Sequence, residues 1–364
     1  MTVDIRGVNT HNKGAHLMMI AAAARLRDAG FAVSTSPNGS KFEYRAEIGL
    51  HQSLVLSQAP RLSAHASRLV PPKIATQFGL IRDVDIDGVV DAAGFAYSDS
   101  FSSERSRREA INARRWKRRG VPIVLLPQAF GPFTIPERNR WSAEYLSHVT
   151  VAFARDDMSA RYVQTLAPNL EVLRAPDFTI GLTPARAVVP VAGDFGALVP
   201  NGKLVSHGGV SVGTYLDELA AAGRAFRGAG LEPLVVTHET GDRSLSAQLA
   251  AELDAPVFAS GDPLVLKGAL GQARIALGSR FHALVGSLSQ GVPSIAYGWS
   301  HKYKALLDDF GTPDALYTPG GDITSLVLDV LRDDSLSATL RERSRALSLQ
   351  NDDMWKMVES TLRA

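Results

Sequence analysis

Residues 277–311, LGSRFHALVGSLSQGVPSIAYGWSHKYKALLDDFG, repeat one short grammar: strand end, turn and helix, then strand, turn and helix again. The apolar run RIAL leads in, Gly278-Ser279-Arg280 breaks it, and Ser279 is placed to cap the helix that follows. Small apolar residues recur at helical spacing from 282 to 289, and Gly291 and Pro293 stop that helix. Pro-Ser-Ile-Ala-Tyr is the next strand, Gly298-Trp299-Ser300 the next turn, and His301-Lys302-Tyr303-Lys304 the opening of a further helix. In an open α/β sheet such turns face the ligand crevice at the carboxyl ends of the strands. Each turn carries a cation and a histidine at a helix N-terminus, an end that attracts anions. Arg280, His282, His301 and Lys302 are therefore candidates for a phosphate or carboxylate site. The alternative, that they are solvated or capping side chains, stays open on spacing alone.

The alternation runs through the rest of the chain. Residues 2–8 read as an opening strand, 9–15 as the turn-rich loop NTHNKGA, and 16–27 as a helix. Gly14 would let a ligand approach that loop closely. The three glycines of the dinucleotide fingerprint are missing, which argues against NAD or FAD. Residues 31–35 read as a strand, 37–80 as an irregular stretch of helices and a loop, and 86–92 as a strand. Residues 104–119 read as a basic helix, and 121–126 as a buried parallel strand ending in PQAFGPF. VTVAFARDD and LEVLRAPDF repeat the unit. Residues 181–200, rich in Pro, Ala and Gly, read as a linker, with KLVSHGG as the first strand beyond it. The strand at 231–237 ends at His238, with Asp242 in the next loop. The expected fold class is α/β with two parallel sheets. The expected division is a first domain at 1–185, a linker at 186–200 and a second domain at 201–330 with the anion turns. Helices at 331–364 are expected to pack back on the first domain.

A chain of 364 residues exceeds one typical core and fits two domains. No apolar run is long enough to span a bilayer, and the first ten residues lack a signal-peptide pattern. Absence of cysteine excludes disulfides, thiolate metal sites and cysteine nucleophiles. The expected location is cytoplasmic. A net charge of +2 argues against a general nucleic-acid binder. The basic stretch 105–119 reads as the solvated face of a helix. Peripheral contact with the inner face of a membrane, or with an anionic acceptor, is the alternative.

Several blocks together resemble the polysaccharide pyruvyltransferase family. They are Gly7-Val8-Asn9 with Asn12-Lys13-Gly14; the strand 121–126 running into Pro127-Gln128-Ala129-Phe130-Gly131-Pro132; Phe153-Ala154-Arg155-Asp156-Asp157-Met158-Ser159; and Gly278-Ser279-Arg280-Phe281-His282-Ala283, followed by Gly291-Val292-Pro293 and Lys302. The resemblance covers nearly the whole chain. It implies two facing Rossmann-like domains in a glycosyltransferase-B-like arrangement, with the active site between them. It also implies transfer of pyruvyl from phosphoenolpyruvate to a sugar as a ketal. Arg155, Arg280 and His282 would then be donor contacts. Three departures stand out: Ala92-Ala93-Gly94-Phe95 in place of a glycine-rich turn, Phe281 in place of leucine, and Ala15-His16 in place of an acidic pair.

Phosphoenolpyruvate carries a carboxylate and a phosphate, and arginine suits such planar anions. Ketal formation needs an acid or base that titrates near neutrality, so His282 is the first candidate. Asp156 is the second, either orienting Arg155 or taking a sugar proton; a surface ion pair is the other reading. Arg155, Arg280 and Lys302 would stabilise the leaving phosphate. Phe281, His301, Asn12, Gly14, Gln128 and His238 complete the expected substrate-binding set. No histidine pair at helical spacing signals a metal. No cofactor is expected, phosphoenolpyruvate being the donor substrate. The expected partners are phosphoenolpyruvate and a sugar or lipid-linked saccharide, with no nucleic acid. A glycosyltransferase using a nucleotide sugar and a non-catalytic binding protein are the competing readings.

Overall fold

The computed structural model describes residues 1–364 apart from Ser57, Gln58, Gly208 and Trp299. Trp299 of the second cationic turn and Gly208 of KLVSHGG thus lie outside the described residues. The chain divides into two compact units, Met1–Phe178 with Gln350–Ala364, and Thr179–Leu349.

The first unit holds strands β1 (Thr2–Arg6), β2 (Ala32–Thr35), β3 (His51–Ser53), β4 (Leu80–Ile81), β5 (Gly88–Asp91), β6 (Phe95–Tyr97), β7 (Ile123–Phe130), β8 (Val151–Ala154) and β9 (Glu171–Arg174). They pair in parallel in the order β4-β3-β2-β1-β5-β7-β8-β9, and β6 adds to β7. Every residue of β7 is buried, which explains its unbroken apolar run. The stretch 37–80, read as irregular, contains β3 and the start of β4. Each is only two or three residues long, too short to show a period-two pattern. Trp116, Tyr97 and Tyr145 are the largest side chains of the core on one side of this sheet. Burying side chains of this size contributes roughly 1.5–3 kcal/mol each. The last helix ends in this unit. Asn351 donates to the Asp177 carbonyl at 3.0 Å, and Trp355 meets Phe178 edge to face.

The second unit holds β10 (Phe195–Val199), β11 (Glu232–Thr237), β12 (Val257–Ala259), β13 (Ile275–Gly278), β14 (Ser294–Tyr297) and β15 (Leu316–Tyr317). Their order is β12-β11-β10-β13-β14-β15, all parallel. Its first strand is therefore Phe195–Val199, inside the stretch read as linker, while KLVSHGG is helical at Gly202–His207. Packing disguised the strand. A Cβ on Gly196 would lie 2.3 Å from the Phe226 ring, so a glycine stands mid-strand where the aromatic ring fills the space.

Candidate active site

In each sheet the chain order reverses once, and the turns after the two strands flanking that point form the natural ligand edge. In the second unit these strands are β10 and β13. Ser279, expected as a helix cap, is instead a knot between the two turns. Its hydroxyl lies 2.9 Å from the Tyr215 hydroxyl, and its carbonyl accepts from Asn201 Nδ2 at 2.6 Å and from the Tyr303 hydroxyl at 2.7 Å. Burial pushes the Tyr215 hydroxyl up to about 12, so it stays a neutral donor.

The N-cap of the helix Phe281–Leu288 is Arg280. Its Nε and Nη2 donate to the two oxygens of Asp242 at 2.8 and 2.5 Å, and neither bond uses Nη1. Asp242 is only 1% exposed and also accepts the Gly202 amide at 2.9 Å. A bidentate pair of this kind fixes the guanidinium plane. Phe281 follows, and its ring lies 5.4 Å from the His282 ring and 6.3 Å from the Tyr303 ring. Lys302 Nζ sits 5.8 Å from the Phe281 centroid and 5.2 Å from that of Tyr303, within cation–π range. Arg280, Phe281, His282 and Lys302 thus come together on one edge. His301, half-buried, opens the helix His301–Phe310 beside Lys302. His238, 3% exposed, follows β11 on the far side of β10, with Nδ1 3.8 Å from Glu239.

In the first unit the order reverses between β1 and β5. Gly7 follows β1 at φ 80°, and a Cβ there would lie 2.4 Å from Asp91 Oδ1, so only glycine fits. Asp91 accepts from the Ala93 amide at 3.0 Å and from the hydroxyls of Tyr97 and Tyr145 at 2.5 and 3.0 Å. This pins the Ala92-Ala93-Gly94 turn. Asn12 caps the helix Lys13–Asp28, accepting from the Ala15 amide at 2.9 Å, and Gly14 is buried in its first turn.

Arg155, expected as a donor contact, is 5% exposed and faces protein with all three nitrogens. Nε donates to the Pro127 carbonyl at 2.9 Å, Nη1 lies 3.2 Å from Asp177 and Nη2 lies 3.6 Å from the Met18 sulfur. Burial pulls its pKa below the ordinary arginine value, against the pull of Asp177 and Asp156. Asp156 caps the helix Asp157–Leu166, taking the Ser159 amide at 2.6 Å and its hydroxyl at 2.8 Å. Ser159 Oγ in turn accepts the Phe130 amide at 2.9 Å, which fixes the loop after β7. Gln128 is fully buried, and neither side-chain amide atom has a hydrogen-bond partner among the described residues.

Asp242 is the member of this arrangement whose role sequence reasoning missed. Its signal is an acidic residue just past a strand end, but the pairing with Arg280 exists only once β10 brings the two turns together.

A family model for polysaccharide pyruvyl transferase matches residues 12–301. No curated protein matches the chain. The chain is similar to the solved structure of UDP-GlcNAc 2-epimerase from Neisseria meningitidis bound to UDP-GlcNAc, at TM-score 0.62, 9% identity and 99% of each chain covered. It is also similar to spinosyn rhamnosyltransferase SpnG, at TM-score 0.55, 12% identity and 100% of both chains covered. Arabidopsis thaliana UGT89C1 complexed with UDP-L-rhamnose is a further likeness, at TM-score 0.54, 11% identity and 99% of each chain covered. At these identities the likeness shows the fold, that of the glycosyltransferase-B class.

Proposed function

From the premise that the chain belongs to the polysaccharide pyruvyl transferase family, we propose that phosphoenolpyruvate is its donor and hydroxyls of a saccharide its acceptor. The observation that carries the proposal is the Arg280 turn: a guanidinium held on buried Asp242, at a helix N-terminus, with Lys302 and His282 beside it. Fixed cations and helix amides suit a small dianionic donor. Arg280 Nη1 and the first amides of the helix Phe281–Leu288 would take the phosphate or carboxylate, and Lys302 would add charge as phosphate leaves.

The chemistry balances as follows. The donor methylene carbon gains one proton and becomes a methyl group. One sugar hydroxyl adds to the neighbouring carbon and loses its proton. The C–O bond to phosphate breaks, phosphate leaves with the electron pair, and a second hydroxyl adds and loses its proton. Two protons leave the hydroxyls, one ends on carbon and one on phosphate. His282 is the group at this edge suited to carry them at neutral pH. Asp156 and Arg155 act in this reading as supports for the loop after β7.

Two of the similar structures carry a nucleotide sugar by their descriptions, so glycosyl transfer is the reading to test against. The experiment is thermal unfolding with phosphoenolpyruvate and with UDP-sugars, followed by phosphate-release assays with saccharide acceptors. A donor at about 100 times its Kd adds roughly 2.7 kcal/mol of stability. Stabilisation by phosphoenolpyruvate, lost in Arg280→Ala, supports the proposal; stabilisation by UDP-sugars alone overturns it.

A further inference from the structure

Fifteen large apolar side chains are exposed among the described residues, and five of them fall between 56 and 78: Leu56, Leu62, Leu69, Ile74 and Phe78. Leu69 is 83% exposed, Phe78 65% and Leu62 62%. Poor packing does not account for this, because the underlying helix is firmly held. In Pro60–Arg68, Ser63 and Ser67 face inward. Ser63 Oγ bonds buried Asp83 and takes the Leu56 amide at 3.0 Å, and Arg115 reaches both Asp83 and the Pro60 carbonyl. The outer face of this helix and the residue after it presents Leu62, His65 and Leu69 at i, i+3 and i+7.

The charge of this stretch is one-sided. Residues 48–82 contain no Asp or Glu, although acidic residues make up 37 of 364 in the chain, while Arg61, Arg68, Lys73 and Arg82 are cationic. Arg68 and Lys73 are exposed beside the apolar side chains. A cavity of about 300 Å³ adjoins the same helix, lined by Ala64, His65, Arg114, Arg118 and Trp141 among others. Arg114 is paired with Glu144, whereas the Arg118 side chain is exposed and has no partner among the described residues.

From these observations we infer that the outer face of residues 60–78 is a docking surface for an anionic lipid membrane. Leu62, Leu69, Ile74 and Phe78 would enter the headgroup boundary, while Arg68, Lys73 and Arg118 meet lipid phosphates. No helix among the described residues is long and apolar enough to cross a membrane, so the contact is peripheral. The basic stretch 105–119 is where the sequence alone suggests such contact. Three of its cations turn inward or pair, Arg115 on Asp83, Arg114 on Glu144 and Arg105 against the Tyr97 ring at 5.7 Å, whereas Lys117 and Arg118 at its end are exposed and only Arg118 adjoins the apolar face by way of the cavity. The inference is independent of the donor and of the Arg280 turn.

The test is co-sedimentation of the full chain with phosphatidylglycerol-containing vesicles and with pure phosphatidylcholine vesicles. The variants are Leu69→Asp with Phe78→Asp, and Arg68→Glu with Lys73→Glu, each with its melting temperature measured. Wild type is expected to bind the anionic vesicles and to be released by salt. The apolar double variant is expected to lose at least tenfold in partition, and the charge variant about fivefold or more per cation, since each basic side chain at an anionic surface contributes about that factor. Melting temperatures should stay unchanged, as all four side chains are exposed. No binding by wild type, equal binding to both vesicles, or undiminished binding by the variants overturns the inference. So does a wild-type dimer that Leu69→Asp dissociates, which would make the face a contact with a second copy.

Discussion

At the carboxyl edge of the first sheet, Arg155 spends its guanidinium on the Pro127 carbonyl, Asp177 and Met18. At the edge of the second, Arg280 rests two nitrogens on Asp242 at the head of a helix, with Phe281 and Lys302 alongside. Both arginines follow a parallel strand, and both sit on a buried carboxylate. Arg155 is braced on three sides and serves as a strut; Arg280 is braced along one edge, an arrangement that aims a cation rather than consuming it. A cation in a strand-end turn is left available, or not, by the directions its partners leave open, and its type and position alone do not decide this.

Arg280→Ala should break the comparison most strongly. It strands Asp242 in the interior, which costs about 3–5 kcal/mol, and it removes the proposed donor grip. Denaturant unfolding and phosphate release should both collapse, and an active variant would refute the assignment. His282→Gln comes next, with an expected drop in kcat of about 10²–10⁴ and no change in melting temperature. A turnover within a few-fold of wild type would remove His282 from the chemistry. Arg155→Ala should invert the pattern, destabilising the first unit by about 3 kcal/mol as the buried Asp177 carboxylate loses this cation while leaving phosphoenolpyruvate affinity in the folded fraction unchanged. Weakened donor affinity with intact stability would restore Arg155 as a contact.

Asp156→Ala removes a cap and should cost about 1 kcal/mol, read as a lowered denaturation midpoint with KM for the donor intact. The smallest effect is one of pH. Burial would raise the Glu109 pKa, but Arg6, Arg105 and Arg108 together hold it below the ordinary value. Its contribution is therefore present above the unfolded-state pKa of about 4.3 and is lost as pH falls through the lower folded value. The melting-temperature gap between wild type and Glu109→Gln should be widest above about pH 5 and close on acidification.

Much of the candidate site was legible because it is local. Arg280, Phe281 and His282 are consecutive, and the strand before them and the helix after them follow from the apolar run Ile275-Ala276-Leu277, a break and small residues at helical spacing. Lys302, near the Phe281 and Tyr303 rings, is placed by the same grammar in the next strand-turn-helix unit. β10 was missed because its glycine and alanine look like linker until Phe226 is seen filling the space. Asp156 was legible as a turn acid, yet its capping of Ser159 was not used, although Asp followed three residues later by Ser is an ordinary cap spacing.

By itself the sequence determined the alternation of strand and helix, the buried parallel runs and the placing of cations at strand ends. Those follow from periodicity and from backbone chemistry within a few residues. The tertiary structure decided which cations are enclosed by protein groups and which are held along one edge only. Arg280 meets Asp242 across 38 residues because strand order brings β10, β11 and β13 side by side. Arg155 is immobilised because β7 and β8 are neighbours and the Asp177 carboxylate lies against it. A charge's partners are a property of adjacency in the sheet, and adjacency between distant strands is not written in any local run of residues.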